Sequence, residues 1–516
     1  MLKHLESIGA VTVAVILLLI SAMPARAACI PQNLSNPAPR DPVARVLAQQ
    51  ATCPKTAVAF RNLLKQSGAR LEPTMVNFVG FHNPDAGAFF VFEIVSATGA
   101  GAPSQVKIDR GDLVFGHFTG ATNDGRLVPN TDGLVIELIA WDPAKLFYNF
   151  YELVAGTWFY RGDSKDILDD IRLLHRQRTA SERPFGQRLR CSGCHVSGGL
   201  VQKELAPPHN DWFVKARPLT MGSLKPDASV KEILAELVDG EELSKVVAAS
   251  AQRLATSAGY RKVMAERSMQ EQLRPLFCPL DVNIESDLTP FDNRDPAVRI
   301  PSGFFVDPRL ATADVVVQRQ AYDAALKTLR SSLPNTPGRA DADHGWVAPV
   351  KAHSDIVAVD SLIDQGIVDR EFVADVLAID FTNPALAGRR CDLLKLVPDK
   401  RDTTFGARFQ EALRNAKAPG AAELLTNLTD PKRTATFHQQ QALAFVASCR
   451  QRAADPANVL AWVRLLAQRR VEVSASEISR NGGNHILEDP NRIVFPSTSP
   501  AASAGRLVLT TTCQVQ

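Results

Sequence analysis

The segment RLRCSGCHVSGG, residues 188–199, contains two cysteines three positions apart and a histidine directly after the second. Thiolates and imidazoles bind metal ions, and cysteine thiols also form disulfides and thioethers. Cys191, Cys194 and His195 could therefore form a structural zinc site, a redox-active disulfide or a covalent attachment site for haem.

The first two kinds of site lack the sequence context that they need. A structural zinc site requires four ligands, usually from two such pairs, and the chain contains no second CxxC and no HxxxH. A thioredoxin-like redox pair is expected in a βαβ context and gives the histidine no role. Both alternatives are therefore disfavoured relative to haem attachment.

Covalent haem attachment accounts for all three side chains. Cysteines at positions i and i+3 on one helical turn can form thioethers with the two haem vinyl groups, and the next residue can coordinate the iron. We therefore predict that Cys191 and Cys194 hold haem c and that His195 is its proximal ligand. Because the motif occurs once, we expect one haem.

The N-terminus has the pattern of a signal peptide. Lys3 and His4 precede an apolar run over residues 8–23, and Ala-Arg-Ala at 25–27 matches the small-x-small cleavage pattern. The apolar run is shorter than the roughly 20 residues that span a bilayer, which disfavours an uncleaved anchor. We predict a signal peptide at residues 1–27, a periplasmic or otherwise exported chain, and no stable membrane span after cleavage.

The other cysteines are even in number and lie at long intervals, which in an oxidising compartment predicts up to three disulfides. They are Cys29, Cys53, Cys278, Cys391, Cys449 and Cys513. Sequence alone does not distinguish among the possible connectivities, and the first pairing that we expect is Cys29 with Cys53.

Composition limits the class of protein. A chain of 516 residues is longer than one hydrophobic core normally supports, so we expect two or three domains. The net charge of +3 is small for this length, and we expect no nucleic-acid partner. A hydrophobic content of 45% argues against wholesale disorder.

The composition and periodicity of the sequence change along the chain, which predicts an α+β protein. After a short lead-in at 28–73, β-branched and aromatic runs separated by Gly, Asn, Asp and Pro are typical of an antiparallel sheet. We predict a β-rich haem domain at 74–224. Helical periodicity then predicts a mainly α-helical region at 225–516, in which the proline-rich stretch 275–308 is a linker or surface loop and ADVVVQRQAYDAALKTLRSSL is a helix.

A cluster of arginines precedes the motif. The segment GDSKDILDDIRLLHRQR, residues 162–178, predicts a helix, and six arginines lie between residues 172 and 190 against the single acid Glu182. A solvated surface explains this cluster most simply. The alternatives are a docking surface for an acidic redox partner protein or a set of donors to the haem propionates.

The CxxCH motif resembles that of c-type cytochromes. The aromatic-rich β region before it and the sequence NDWF at 210–213 are similar to the cytochrome P460 family, over about residues 74–215. That resemblance implies a β-sheet haem domain with the motif near its end. It does not cover the helical region, and the haem-linking lysine of that family is not matched to a position here.

The second axial ligand of the iron decides between electron transfer and chemistry on a small molecule. Our first candidate is Met221, in a loop after Pro218; its alternative role is packing in a core. His209, His175, Met264 and Met269 are weaker candidates. We therefore expect an exported monohaem c-type cytochrome that transfers single electrons, with a peroxidase-like or P460-like haem enzyme or a gas-binding haem sensor as the alternatives.

Overall fold

The computed structural model describes residues 29–34, 38–77, 88–97, 107–129, 136–171, 190–193, 195–201, 213, 215, 223–279, 281–286, 296–300, 303, 305–329, 335–336, 339–340, 346–382, 388–465, 493–494 and 509–516. The predicted signal peptide and most of the arginine cluster lie outside these ranges, as do Cys194, Met221, His209 and His175. No helix within the ranges is long and apolar enough to cross a membrane.

Two short helices precede the sheet. Helix α1, Pro42–Ala48, starts after Asp41, whose carboxylate accepts a hydrogen bond from the backbone nitrogen of Ala44. Helix α2, Ala57–Gln66, starts after Thr56, whose hydroxyl caps the helix in the same way. The apolar sides of both helices pack against one face of the sheet that follows.

The N-terminal half forms a mainly antiparallel sheet. Its strands are β1 Ala69–Asn77, β2 Ala88–Ala97, β3 Leu113–Ala121, β4 Arg126–Pro129, β5 Ile136–Asp142, β6 Phe147–Val154 and β7 Thr157–Asp163, with β8 Lys225–Pro226. The order is β1-β2-β3-β5-β6-β7, while β4 pairs with β3 and, in parallel, with β8. The sheet starts before the predicted boundary at residue 74, because the backbone from Ala69 onward pairs with β2 in unbroken register.

Side chains alternate between the two faces of this sheet. One face packs against α1 and α2 in a core that includes Phe60, Phe115 and Leu138. The other face carries Phe150 and packs against α3, Ser164–Ile171, against α5, Gly240–Thr256, and against Val196, which directly follows the CxxCH motif. The motif therefore lies on the sheet face opposite the lead-in helices.

The C-terminal half is mostly helical, which confirms the predicted α+β class. Its helices are α4 Ala228–Glu236, α5 Gly240–Thr256, α6 Ala258–Ala265, α7 Met269–Phe277, α8 Arg319–Leu329, α9 His353–Asp364, α10 Arg370–Leu377, α11 Gly388–Leu393, α12 Phe405–Asn415, α13 Ala421–Thr429 and α14 Ala435–Arg452. A further helix covers residues 456–465. These helices from α7 onward share a large hydrophobic core that is distinct from the three cores to which the sheet contributes.

Two expectations for the C-terminal half are wrong. Residues Val315–Gln318, predicted as the start of a helix, form strand β11 beside β10, Ala297–Ile300, because three consecutive valines favour extended backbone; helix α8 begins only at Arg319. The stretch 275–308, predicted as a linker or surface loop, contains the end of α7 and strands β9, Asp281–Ser286, and β10. Its Phe305 is fully buried, so this part of the chain contributes to the core.

The small strands of this half complete two further pairings. Strand β9 pairs with β14, Trp346–Lys351, and with β15, Ile493–Val494, while β12, Asn335–Thr336, and β13, Arg339–Ala340, form a short hairpin.

Three disulfides are present, as predicted from the number and spacing of the cysteines. They join Cys29 to Cys53, Cys278 to Cys391 and Cys449 to Cys513, across sequence separations of 24, 113 and 64 residues. The expected Cys29–Cys53 pair is confirmed.

Candidate functional site

The described residues of the CxxCH motif form a helical turn. Cys191 lies in a 3₁₀ turn, Arg190–Gly193, and the backbone nitrogen of His195 donates a hydrogen bond to the carbonyl oxygen of Cys191 at 2.9 Å. Cys191 is half-buried and packs against the hydrophobic core on this face of the sheet. The described part of the motif therefore has the local conformation that the spacing predicts.

Contacts to α3 and to the sheet hold this turn in place. Ser192 is fully buried, and its hydroxyl donates a hydrogen bond to the carboxylate of Asp170 on α3. Val196 and Leu200, on either side of the glycines, are buried in the same core as Ile167 of α3. The motif is thus anchored both before and after His195.

The imidazole of His195 is oriented by one hydrogen bond and one ring contact. Its Nδ1 lies 3.0 Å from the carbonyl oxygen of Gly199, and because a carbonyl only accepts, Nδ1 carries the proton. The ring lies 5.4 Å from the ring of Phe150 on β6, centroid to centroid. Nε2 is therefore the nitrogen with a free lone pair, and no described residue forms a hydrogen bond with it.

The surroundings of His195 also favour the neutral imidazole. Desolvation by the packed protein lowers the pKa of His195 to about 4, against the smaller opposite effect of the hydrogen bond to Gly199. At neutral pH the ring is uncharged, which is the protonation state that a histidine needs to bind a metal.

Two glycines, Gly198 and Gly199, shape the loop after His195. They are visible in the sequence as VSGG, although the interpretation of the motif did not include them. Gly198 has a φ of +77°, and a Cβ atom built on it would lie 2.9 Å from the carbonyl oxygen of Ser164. The Ser164 hydroxyl donates to the carbonyl oxygen of Gly198 at 2.6 Å and accepts from the backbone nitrogen of Tyr148 at 2.9 Å. The close approach of the Gly198 backbone to Ser164 therefore positions Gly199, whose carbonyl oxygen accepts the hydrogen bond from His195.

We expect Gly198→Ala to disturb this loop. The left-handed backbone costs a residue with a Cβ about 1–3 kcal/mol, and the contact with Ser164 adds to that cost. The free energy of unfolding, measured by urea titration, should fall by at least that amount. Gly406→Ala is the matched control, because its Cβ would meet no atom within 4 Å. A change below about 0.5 kcal/mol in Gly198→Ala would contradict this account.

The other candidate ligands are dispersed. Met264 lies on α6, and Met269 is the first residue of α7, buried in the helical core. Ser268 caps α7 and separates it from α6, so the two methionines lie on different helices. Met221, His209 and His175 lie outside the described residues.

The residues of the motif that could hold a cofactor are thus Cys191, Cys194 and His195. Within the described residues, no three His, Cys, Asp or Glu side chains lie close enough together to hold a metal ion. One neutral imidazole with a free Nε2 suits haem, because the porphyrin supplies the four equatorial nitrogens and the protein has to supply only the axial ligands.

Comparisons with known proteins assign no family. No family model matches the chain, and neither the curated proteins nor the solved structures include a significant match to it.

Proposed function

We propose that this chain is an exported monohaem c-type cytochrome that transfers single electrons. One haem c is bound covalently through Cys191 and Cys194, with His195 as the proximal iron ligand. The observation that carries the proposal is the hydrogen bond from Nδ1 of His195 to the carbonyl oxygen of Gly199, which leaves Nε2 without a partner among the described residues. A proximal histidine needs that tautomer.

Each residue of the site has a defined task in this proposal. When bound, the haem supplies an iron that accepts and releases one electron. The hydrogen bond from His195 to Gly199 fixes the plane of the imidazole and raises the basicity of Nε2. Phe150 packs beside the ring and helps to exclude water from this side of the site. The buried Ser192–Asp170 hydrogen bond holds the turn that carries the cysteines.

Export to the periplasm or another oxidising compartment is supported by two independent features. The first is the signal-peptide pattern of residues 1–27. The second is the set of three disulfides, since such bonds form and persist in oxidising compartments. The redox partner that we propose is a protein with an acidic surface, which the arginine-rich segment 172–190 would attract.

A difference spectrum tests this proposal against its alternatives. Purified holoprotein should give a reduced-minus-oxidised spectrum typical of haem c, and carbon monoxide should leave the spectrum of the reduced protein unchanged, because a carrier has both axial positions filled. Immediate binding of carbon monoxide by wild-type protein would instead favour a peroxidase-like or P460-like enzyme or a gas-binding sensor.

Replacing Met221 by alanine tests the proposed second axial ligand. The variant should lose the near-infrared sulfur-to-iron charge-transfer band, its reduction potential should fall, and its reduced form should bind carbon monoxide. Met269→Ala is the control, since Met269 packs in the helical core. A wild-type protein that lacks the band, or a Met221→Ala variant that keeps it, would assign Met221 to packing alone.

A further inference from the structure

A cavity of about 630 Å³ lies behind the loop that follows His195. Val196, Ser197 and Gly199 form one side of it, and α5, α6, α7 and α9 form much of the rest. Its volume is in the range of small-molecule binding sites. His195 itself is not among the described residues that line it.

Much of the cavity wall is apolar. Side chains from α3, the loop and the helices contribute to it: Leu168, Val196, Ala251, Leu254, Ala255 and Ala358. All six are at most 7% exposed, so this part of the wall belongs to the packed interior. An apolar body inserted here would lose its contact with water on most sides, which favours binding.

The charges on the wall are mostly neutralised within the protein. Arg274 forms a two-fold ion pair with Asp355, at 2.8 and 2.6 Å, and Arg267 pairs with Asp169 at 2.8 Å. The carboxylate of Glu271 is engaged in the cap of α7. Both carboxylates that line the cavity therefore already have partners.

Lys395 differs from these charged residues because its side chain is not paired with another described residue. It lines the cavity, is exposed, and its ammonium forms no ion pair or hydrogen bond with any described residue. An exposed residue on the wall of a cavity lies where the cavity meets the solvent. The open edge of the cavity thus carries a positive charge that no described residue neutralises, which favours an anionic group on a ligand.

Tyr260 adds a hydrogen-bond donor inside the cavity. Its hydroxyl has no hydrogen-bond partner among the described residues. Desolvation raises the pKa of Tyr260 to about 12, so the hydroxyl stays protonated at physiological pH and can donate. A ligand therefore gains from an acceptor atom on its buried part.

We propose that this cavity binds one small amphipathic organic anion: a ring-containing apolar body with a single carboxylate or sulfonate group. The body lies among Leu254, Ala255 and Ala358, the anionic group meets Lys395, and Tyr260 donates a hydrogen bond to the body. This site is inferred from the lining of the cavity alone, so the inference does not depend on the proposed haem.

The test uses the full-length protein and the probe 1-anilinonaphthalene-8-sulfonate in calorimetric titrations. We expect saturable binding at one site per chain. Ala358→Phe should abolish it by filling the cavity, whereas Ala444→Phe, the same change at an exposed position of α14, should leave it intact. The absence of one-to-one binding, or binding unchanged in a folded Ala358→Phe variant, would overturn the proposal.

Two milder variants test the ligand class without altering the core. Lys395→Gln should weaken binding of the probe about three-fold, and Tyr260→Phe about five-fold, which are typical effects of one exposed charge and one hydrogen bond. Lys327→Gln, at an exposed site on α8, is the control for lost charge. The neutral analogue N-phenyl-1-naphthylamine should not respond to Lys395→Gln. Equal responses of the two probes to Lys395→Gln would overturn the assignment of an anion.

Discussion

Replacing both Cys191 and Cys194 by alanine should convert a haem that resists extraction into one that is lost completely to acidic acetone. Acid would protonate the imidazole of His195 and break its proposed bond to iron, so only the two proposed thioethers would retain haem in the wild-type protein. Without them no covalent link remains. The measurement is the fraction of haem in the acetone layer, with the pyridine haemochrome spectrum reporting whether the vinyl groups are saturated.

The matched controls distinguish loss of the thioethers from a general destabilisation of the protein. The double variant Cys29→Ala/Cys53→Ala removes a cysteine pair that the structure places in a disulfide, so its haem should stay with the protein. Single variants at Cys191 or Cys194 should keep one thioether and resist extraction, with an altered haemochrome band. If wild-type protein already releases its haem to acidic acetone, the proposed covalent attachment is wrong.

The second large effect concerns stability, and we expect it from the disulfide between Cys278 and Cys391. This bond joins the C-terminal end of α7 to α11 and closes a separation of 113 residues. If closure entropy of the unfolded chain dominates, its removal lowers the free energy of unfolding by about 5 kcal/mol, against about 3 kcal/mol for Cys29–Cys53, with a separation of 24 residues.

Urea titration of Cys278→Ala/Cys391→Ala beside Cys29→Ala/Cys53→Ala measures this difference. The loops closed by the three disulfides do not overlap in sequence, so their effects on the unfolded chain should be nearly independent. Non-reducing peptide mapping verifies the pairings. A larger loss of stability in the Cys29/Cys53 variant would show that native packing around the bond, and not loop closure, sets its contribution.

Local features of the fold were predictable from the sequence. Alternating β-branched and aromatic runs located the antiparallel sheet, and capping residues such as Asp369, at the start of α10, mark helix ends. Two predictions failed: the valines of 315–317 form a strand that pairs with β10, and the proline-rich stretch includes the buried Phe305. The β-branched run itself favours the strand, whereas the burial of Phe305 depends on contacts with residues far along the chain, which no local pattern shows.

Buried polar contacts were invisible to local patterns for the same reason. Arg61 on α2 forms an ion pair with the fully buried Glu93 on β2 at 2.9 Å, and the same guanidinium binds Glu232 and Glu236 on α4. The ion pair and the hydrogen bond from His117 offset desolvation and hold the pKa of Glu93 below its usual value. Only folding brings these side chains from four elements together.

The sequence by itself determined the chemistry that the motif can perform, because the spacing of Cys191, Cys194 and His195 depends on one turn of backbone and on no distant residue. It also determined that six cysteines were available for pairing. Tertiary structure alone decided which of them paired beyond Cys29–Cys53, which helices enclose the cavity behind Gly199, and where Lys395 meets it. Those contacts join residues more than 50 positions apart, and long-range packing, not local propensity, selects among the many arrangements that one sequence pattern allows.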